Sequence, residues 1–263
     1  MTNIGTVESL WRYPVKSMRG IGASEVFIGF AGVFGDRCFA LRDTKARAGF
    51  PYLNGPRQPE MLRYQPRFRT PDRAMFPPNL SEASSIAPGV TPSNGNPDDL
   101  ALDVITPSGT AIALDDPTLL EMLTEGLRGE HSVSVIRSDR ALTDCRPVSL
   151  IALQTIKQLG AEMDKPLDKL RFRSNIYMNL TSGEGFGEDA LVGRKLRIGD
   201  QVEIMVLERD PRCKMISLDH ATGEHDPDIF RHVAQSHEAN SGVYCAVLVE
   251  GIARTGDSID LLD

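Results

Sequence analysis

Apolar residues in the first half of the chain come in short β-branched and aromatic runs, at 5–12, 23–28, 37–42, 62–68 and 100–106. Glycine, proline and aspartate separate them, and runs of this length with such punctuation predict strands of a β-rich barrel or sandwich half. Pro107-Ser108-Gly109 predicts a hairpin turn into a strand at 111–114. Asp116-Pro117 then opens a helix, because a polar cap and a proline at the first helical position precede Leu119, Leu120, Leu123 and Leu127 at helical spacing. Between 70 and 99 proline, serine, asparagine and glycine accumulate and apolar periodicity disappears. That stretch predicts a flexible excursion, either a lid over a site or plain disorder.

The second half alternates between element types. A strand is predicted at 133–137, a short connector at 147–151, and an amphipathic helix at 152–160 that ends on a glycine. Further strands are predicted at 171–180, 195–198, 201–207, 243–249 and 258–262, with 198–201 as a tight turn. Asp226-Pro227 caps a last helix running to His237. No repeat period is visible, so the halves read as two different units, 1–138 and 139–263.

Composition narrows the class. With 41% hydrophobic and 25% charged residues, the chain of 263 residues reads as an ordinary globular protein able to bury a sizeable core. A net charge of -7 argues against general nucleic-acid binding, which needs clustered lysine and arginine against phosphates. No apolar run approaches the ~20 residues that span a bilayer, and the first residues lack the apolar core of a signal peptide, so a cytoplasmic location is expected. Cys38, Cys145, Cys213 and Cys245 are scattered and form no CxxC pair, which excludes a zinc ribbon and a thioredoxin-like motif. Four of the five histidines, His220, His225, His232 and His237, cluster near the C-terminus. The last two are five apart and not the three or four of one helical face, and HExxH is absent, so surface or capping roles are expected and not a zinc site.

Three segments carry candidate chemistry. Residues 208–223 read ERDPRCKMISLDHATG and place Cys213 between Arg212 and Lys214 just past an apolar strand. Adjacent cations favour a thiolate, which binds soft metals; a small buried hydrophobe is the alternative. Tyr13-Pro14-Val15-Lys16-Ser17 follows a strand with a fixed bend, a cation and a hydroxyl, a combination that holds a phosphate or is simply solvated. Arg37 in Gly35-Asp36-Arg37 adds a guanidinium capable of a bidentate phosphate contact, with a surface ion pair as the alternative. In Arg171-Phe172-Arg173-Ser174-Asn175, strand alternation would put Arg171, Arg173 and Asn175 on one face. Such a trio suits an anionic, heteroatom-rich ligand such as a phosphorylated pterin, and a salt-bridged structural face is its competitor.

In order, YPVKS, GDR, RPVSLIALQTI, RFRSN and RCKMISLDHATG resemble the MOSC family, named for the C-terminal domain of molybdenum cofactor sulfurase. The first half resembles the β-barrel domain that precedes it in the mitochondrial amidoxime-reducing component and its bacterial relatives. The resemblance covers nearly the whole chain and implies an α+β, β-rich fold: an N-terminal MOSC-type β-barrel domain, then a MOSC β-barrel domain with a few peripheral helices. It further implies that Cys213 is the protein thiolate on molybdenum, that Lys16, Ser17 and Arg37 hold the cofactor's phosphate, that Arg173 and Asn175 contact the pterin, and that Arg212 flanks the metal. The chain departs from the family pattern at Ser174, where proline is frequent, at Asp210, where a second cysteine is frequent, and at Ile151-Ala152-Leu153, where a polar helix start is frequent.

The activity implied is reduction of small N-hydroxylated compounds by oxygen-atom transfer to molybdenum, with release of water. Electrons would come from a separate donor protein of ferredoxin, flavoprotein or cytochrome type, because no flavin fingerprint or iron–sulfur spacing occurs. Pyridoxal phosphate, flavin and iron–sulfur clusters are not expected in this chain. A cofactor-binding or sulfur-delivery protein without its own oxygen-transfer activity is the alternative, and a barrel that binds no molybdenum, with Cys213 an ordinary thiol, is a third.

Overall fold

The computed structural model describes residues 1–262. In the first half, β1 (Thr2–Arg12), β2 (Ile21–Ala23), β3 (Glu25–Gly29), β4 (Gly32–Val33) and β5 (Phe39–Asp43) lead to β6 (Gln65–Phe68) and helix α1 (Leu80–Ile86). β7 (Leu102–Ile105), β8 (Ala111–Ala113), helix α2 (Pro117–Thr124) and β9 (Val133–Arg137) follow. The second half contains β10 (Val148–Ala152), α3 (Leu153–Glu162), β11 (Ile176–Leu180), β12 (Lys195–Ile198) and β13 (Val202–Pro211). It ends with α4 (Pro227–Ser236), β14 (Asn240–Val249), β15 (Gly251–Arg254) and β16 (Ser258–Leu261).

A closed ring forms the centre, in the order β1-β11-β10-β14-β13-β12-β16, with β16 pairing back to β1. Closure removes the free sheet edges that would otherwise template pairing with other chains. The first strand of the chain therefore completes a barrel whose other six strands lie in the second half. β1 and β11 approach closely at Gly5, where a Cβ would sit 2.4 Å from the Asn179 carbonyl oxygen. A register shift between Val7 and Ser9 then changes which β1 residues face inward, so Val7 and Leu10 are both buried despite odd spacing. The barrel is filled by apolar residues from every ring strand, among them Leu150, Met178, Leu196, Ile204, Val243 and Ile259.

A second core lies in the first half, where β5 pairs with β9, and β7 pairs with β6 on one side and β8 on the other, around Met18, Leu41, Leu53 and Met61. Asp116 caps α2 by accepting from the Thr118 N–H, and Leu119 and Leu123 enter this core, as the helical spacing predicts. A third core packs α3 and α4 against the outside of the barrel through Ile156, Leu159, Ile229 and Val233. Each such side chain contributes about 1.5–3 kcal/mol by leaving water.

Three expectations change. The 147–151 connector is strand β10: all five of its residues are buried, so it lacks the polar–apolar alternation that marks a strand with one wet face. The strand predicted over 171–180 begins only at Ile176, because Lys169–Phe172 is a 3-10 turn and Arg173 takes a left-handed conformation with φ of 52°. The 70–99 segment follows a defined path containing α1. Ala74 is fully buried with its carbonyl accepting from Arg12 Nη1 at 2.5 Å, and the Gly89 carbonyl accepts from the Glu250 N–H at 2.7 Å.

Candidate functional site

A cleft opens beside the barrel, where the Tyr13–Ser17 turn, the Asp36–Arg37 turn, the Arg173 turn and the end of β13 meet. Pro14 turns the chain out of β1, and Lys16 N–H is held by the Phe39 carbonyl at 2.8 Å. The neighbouring turn is clipped to this one twice: Arg37 N–H donates to the Tyr13 carbonyl at 2.8 Å, and Tyr13 N–H donates to Asp36 Oδ1 at 2.7 Å. Ser17, Arg37 and Arg173 all carry positive φ, at 66°, 44° and 52°. Backbone in this region is costly for residues other than glycine, and its concentration on one cleft wall is the kind of local strain that functional sites retain.

Tyr13 forms a platform between two cations. The Arg173 guanidinium lies 4.4 Å and that of Arg37 4.8 Å from its ring centroid. Arg37 Nη1 pairs with Asp36 Oδ2 at 2.6 Å. Burial pulls the Arg37 pKa down, but Asp36 outweighs burial and the net shift is upward. Arg173 has no such partner: burial and the charge of Arg37 push it down to about 10, and its Nη2 is buried without a hydrogen-bond acceptor. Lys16 Nζ donates to the Leu142 carbonyl at 2.9 Å and pairs with Asp144 at 2.5 Å, yet burial still lowers its pKa.

On the opposite wall β13 ends in Asp210-Pro211, and the chain continues through Arg212 to Cys213, the residue that opens the 3-10 turn Lys214–Ser217. Arg212 is held by the Ser241 carbonyl at 2.6 Å and the Phe172 carbonyl at 2.8 Å. Its Nη2 forms a buried ion pair with Asp210 Oδ2 at 2.9 Å. Cys213 is solvent-exposed and lines the cleft, so the alternative of a small buried hydrophobe does not apply to it. Burial raises the Asp210 carboxyl to about 6 against the pull of Arg212 and a hydrogen bond from Tyr244.

The charge of the cleft opposes that of the protein. Lys16, Arg37, Arg146, Arg171, Arg173 and Arg212 line it against only Asp144 and Asp210, in a chain of net charge -7. This excess of cations, with Arg173 carrying no carboxylate partner of its own, is complementary to an anion that brings several oxygen acceptors.

Lys16, Ser17, Arg37, Arg173, Asn175, Arg212 and Cys213, the residues the resemblance implies, all line this one cleft, as does Arg171. Strand alternation does not set the faces of Arg171, Arg173 and Asn175, since Arg171 lies in a 3-10 turn, Arg173 ends it in a left-handed conformation and β11 begins only at Ile176. Arg171 is spent on Asp219 at 2.8 Å and the Ser217 carbonyl. Asn175 works mostly inside the protein: its Oδ1 accepts from Ser149 N–H and Oγ, and its Nδ2 donates to the Trp11 carbonyl. Asp144, Ser149 and Tyr244 were not anticipated as cleft residues; they come from three separate segments, and no local pattern marks them. Among the described residues, none from the 70–99 segment lines this cleft.

The fold and site thus define a β-barrel protein with a cation-lined cleft next to an exposed cysteine. The chain belongs to the MOSC-domain family: residues 137–260 match the MOSC domain and residues 4–89 the MOSC N-terminal beta barrel domain. It is 23% identical over 242 residues to mitochondrial amidoxime reducing component 2 of Bos taurus, covering 85% of this chain and 69% of that protein. Among solved structures it is similar to the YUAD protein from Bacillus subtilis, with a TM-score of 0.48, 10% identity and coverage of 97% and 93% of the two chains. It is also similar to YiiM from Geobacillus stearothermophilus, with a TM-score of 0.36 and 19% identity, where 45% of this chain spans 55% of that one. Among the described residues no helix is long and apolar enough to cross a membrane.

Proposed function

We propose that this chain binds the molybdenum cofactor in the cationic cleft and reduces N-hydroxylated small molecules, taking electrons from a separate redox protein. The observation that carries the reading is the excess of cationic side chains, six against two carboxylates, lining a cleft that also holds the exposed Cys213. The family membership and the similarity to an amidoxime reducing component support the same reading.

In this reading Cys213 would supply sulfur to molybdenum, a donor type that suits the metal. Lys16, Ser17 and Arg37 would hold the cofactor's phosphate, and Arg173, Asn175 and Arg212 would contact its pterin end. When bound, the cofactor would supply two-electron oxygen-atom-transfer chemistry. The protein provides orientation, charge and protons. Converting an N-hydroxy group to the amine and water consumes two electrons and two protons. Asp210, a cleft carboxyl that burial raises to about 6, would serve as a proton donor.

Molybdenum content and oxidised-pterin fluorescence of wild type and Cys213→Ala, produced in a host that makes the cofactor, test the binding step. Stoichiometric metal and pterin in the wild type, with metal lost or altered in the variant, are expected. A folded wild type lacking both ends the reading. Cofactor-loaded protein that passes its cofactor to an apo-enzyme, yet never consumes an amidoxime with a chemical reductant, would replace reduction by cofactor delivery.

A further inference from the structure

Helices α3 and α4 end side by side on the outside of the barrel. Glu162 is the last residue of α3, His232 lies in the final half of α4, and His237 is the residue that ends α4. Both imidazoles point their Nε2 atoms at one carboxylate oxygen, Glu162 Oε2, each from 2.7 Å. A five-residue spacing cannot place two side chains on one helical face, but α4 stops at Ser236 and the chain turns through Glu238 and Ala239, with φ of 53° and 61°. The turn carries His237 back beside His232, their ring centroids 5.8 Å apart. This is how two histidines that the sequence spacing set apart come to share a point.

We infer that Glu162, His232 and His237 bind one divalent cation of the zinc type, bridging the C-terminal ends of α3 and α4. Two imidazole nitrogens and one carboxylate oxygen are a donor set zinc accepts, with water filling the remaining position. The three ligand atoms lie within 4.8 Å of one another. A tetrahedral ion at ordinary zinc–ligand bond lengths needs them about 3.3 Å apart, so the two 2.7 Å contacts to Oε2 open by roughly half an ångström while the two imidazole nitrogens, within 4.8 Å of each other, settle to the same spacing.

The surroundings hold these donors in place. Phe186 stacks on the His237 ring at 4.0 Å and 15°, which limits its rotation. Gln158 Nε2 donates to Glu162 Oε1 at 2.8 Å, fixing the carboxylate and leaving Oε2 toward the histidines, the outer contact that metal-bound carboxylates characteristically have. Two helix C-termini converge here, and each presents the negative end of its backbone dipole to a cation. The side chains are partly exposed, at 28% for Glu162, 24% for His232 and 16% for His237, so an ion can enter without unfolding. The cluster is separate from the cleft, whose lining includes none of the three.

Equilibrium dialysis of the full chain against Zn2+ alone at pH 7.5 tests the inference, with wild type, Cys213→Ser, His232→Ala, His237→Ala and Glu162→Gln compared. One equivalent is expected in wild type and in Cys213→Ser, with affinity at least tenfold weaker in each of the other three. A zinc-dependent rise in melting temperature should accompany binding and vanish with it. Glu162→Gln keeps an oxygen acceptor for the histidines and so retains the fold if a histidine replacement does not. The inference is overturned if folded wild type binds no zinc, or if binding is lost in Cys213→Ser and unchanged in the histidine and glutamate variants.

Discussion

The Arg37 guanidinium donates through Nη2 to the backbone carbonyl of Arg173, 2.8 Å away, so one cleft cation fixes the left-handed turn that presents another. The two residues are 136 positions apart, and their contact joins the first half of the chain to the second. Arg37 is in turn held by the buried Asp36. Charge placement in the cleft is therefore a single unit, Asp36–Arg37–Arg173, resting on Tyr13.

Arg37→Ala should unfold at lower denaturant, by about 3–5 kcal/mol, because it strands the buried Asp36 carboxylate. Arg37→Lys should recover part of that loss, since an ammonium restores the charge and not the fork that spans Asp36 and the Arg173 carbonyl. Urea titration of both variants decides it. Equal stability of Arg37→Ala and wild type would show that the pair is not a structural unit.

Arg173→Gly separates fold from binding. Glycine removes a left-handed penalty of about 1–2 kcal/mol and a desolvated cation that sits near Arg37. Thermal stability should hold or rise, while pterin retained through purification should fall at least tenfold. A variant that keeps its full pterin content would remove Arg173 from the binding surface.

Asp210 gives a pH signature. Its folded pKa of about 6 lies above the ordinary 3.8, so the folded state holds the proton more tightly than the unfolded chain. Stability from this group is full below about pH 4, falls as pH rises through 4–6, and is constant above that window, with a total change of at most about 3 kcal/mol. Asp210→Asn cannot ionise and should flatten stability across pH 4–6 in the cofactor-free protein. An unchanged slope would place the titration elsewhere.

Glu188 supports α3 from outside. The helix has no side-chain cap of its own, and the fully buried Glu188 accepts from the Ala152 N–H at 3.2 Å and the Thr155 hydroxyl at 2.7 and 2.8 Å. Glu188→Ala leaves both donors buried without a partner, at a cost of about 2–4 kcal/mol. Circular dichroism melts should show a clear fall in midpoint, and Glu188→Gln, which keeps an acceptor, should lose less.

Local chemistry determined much of this protein from the sequence alone. Proline and aspartate at 116–117 and 226–227 fix helix starts, and the turn residues around Lys16, Arg37 and Cys213 mark places where the backbone leaves a strand. Those signals depend on neighbours in the chain, so they survive without a fold. β10 was not legible as a strand because a stretch buried on both faces has no alternation to read. The Arg173 turn was not legible either, since its left-handed conformation is stabilised by Arg37 from the other half.

Tertiary structure alone decided which distant residues meet. It placed Asp144, Ser149 and Tyr244 in the cleft, closed the second-half barrel with the first strand of the chain, and set His232 and His237 on one carboxylate. The physical reason is common to all three. Strand closure and helix docking are driven by apolar burial, which carries no information about the polar side chains it brings together, whereas turns and caps are written residue by residue in the chain.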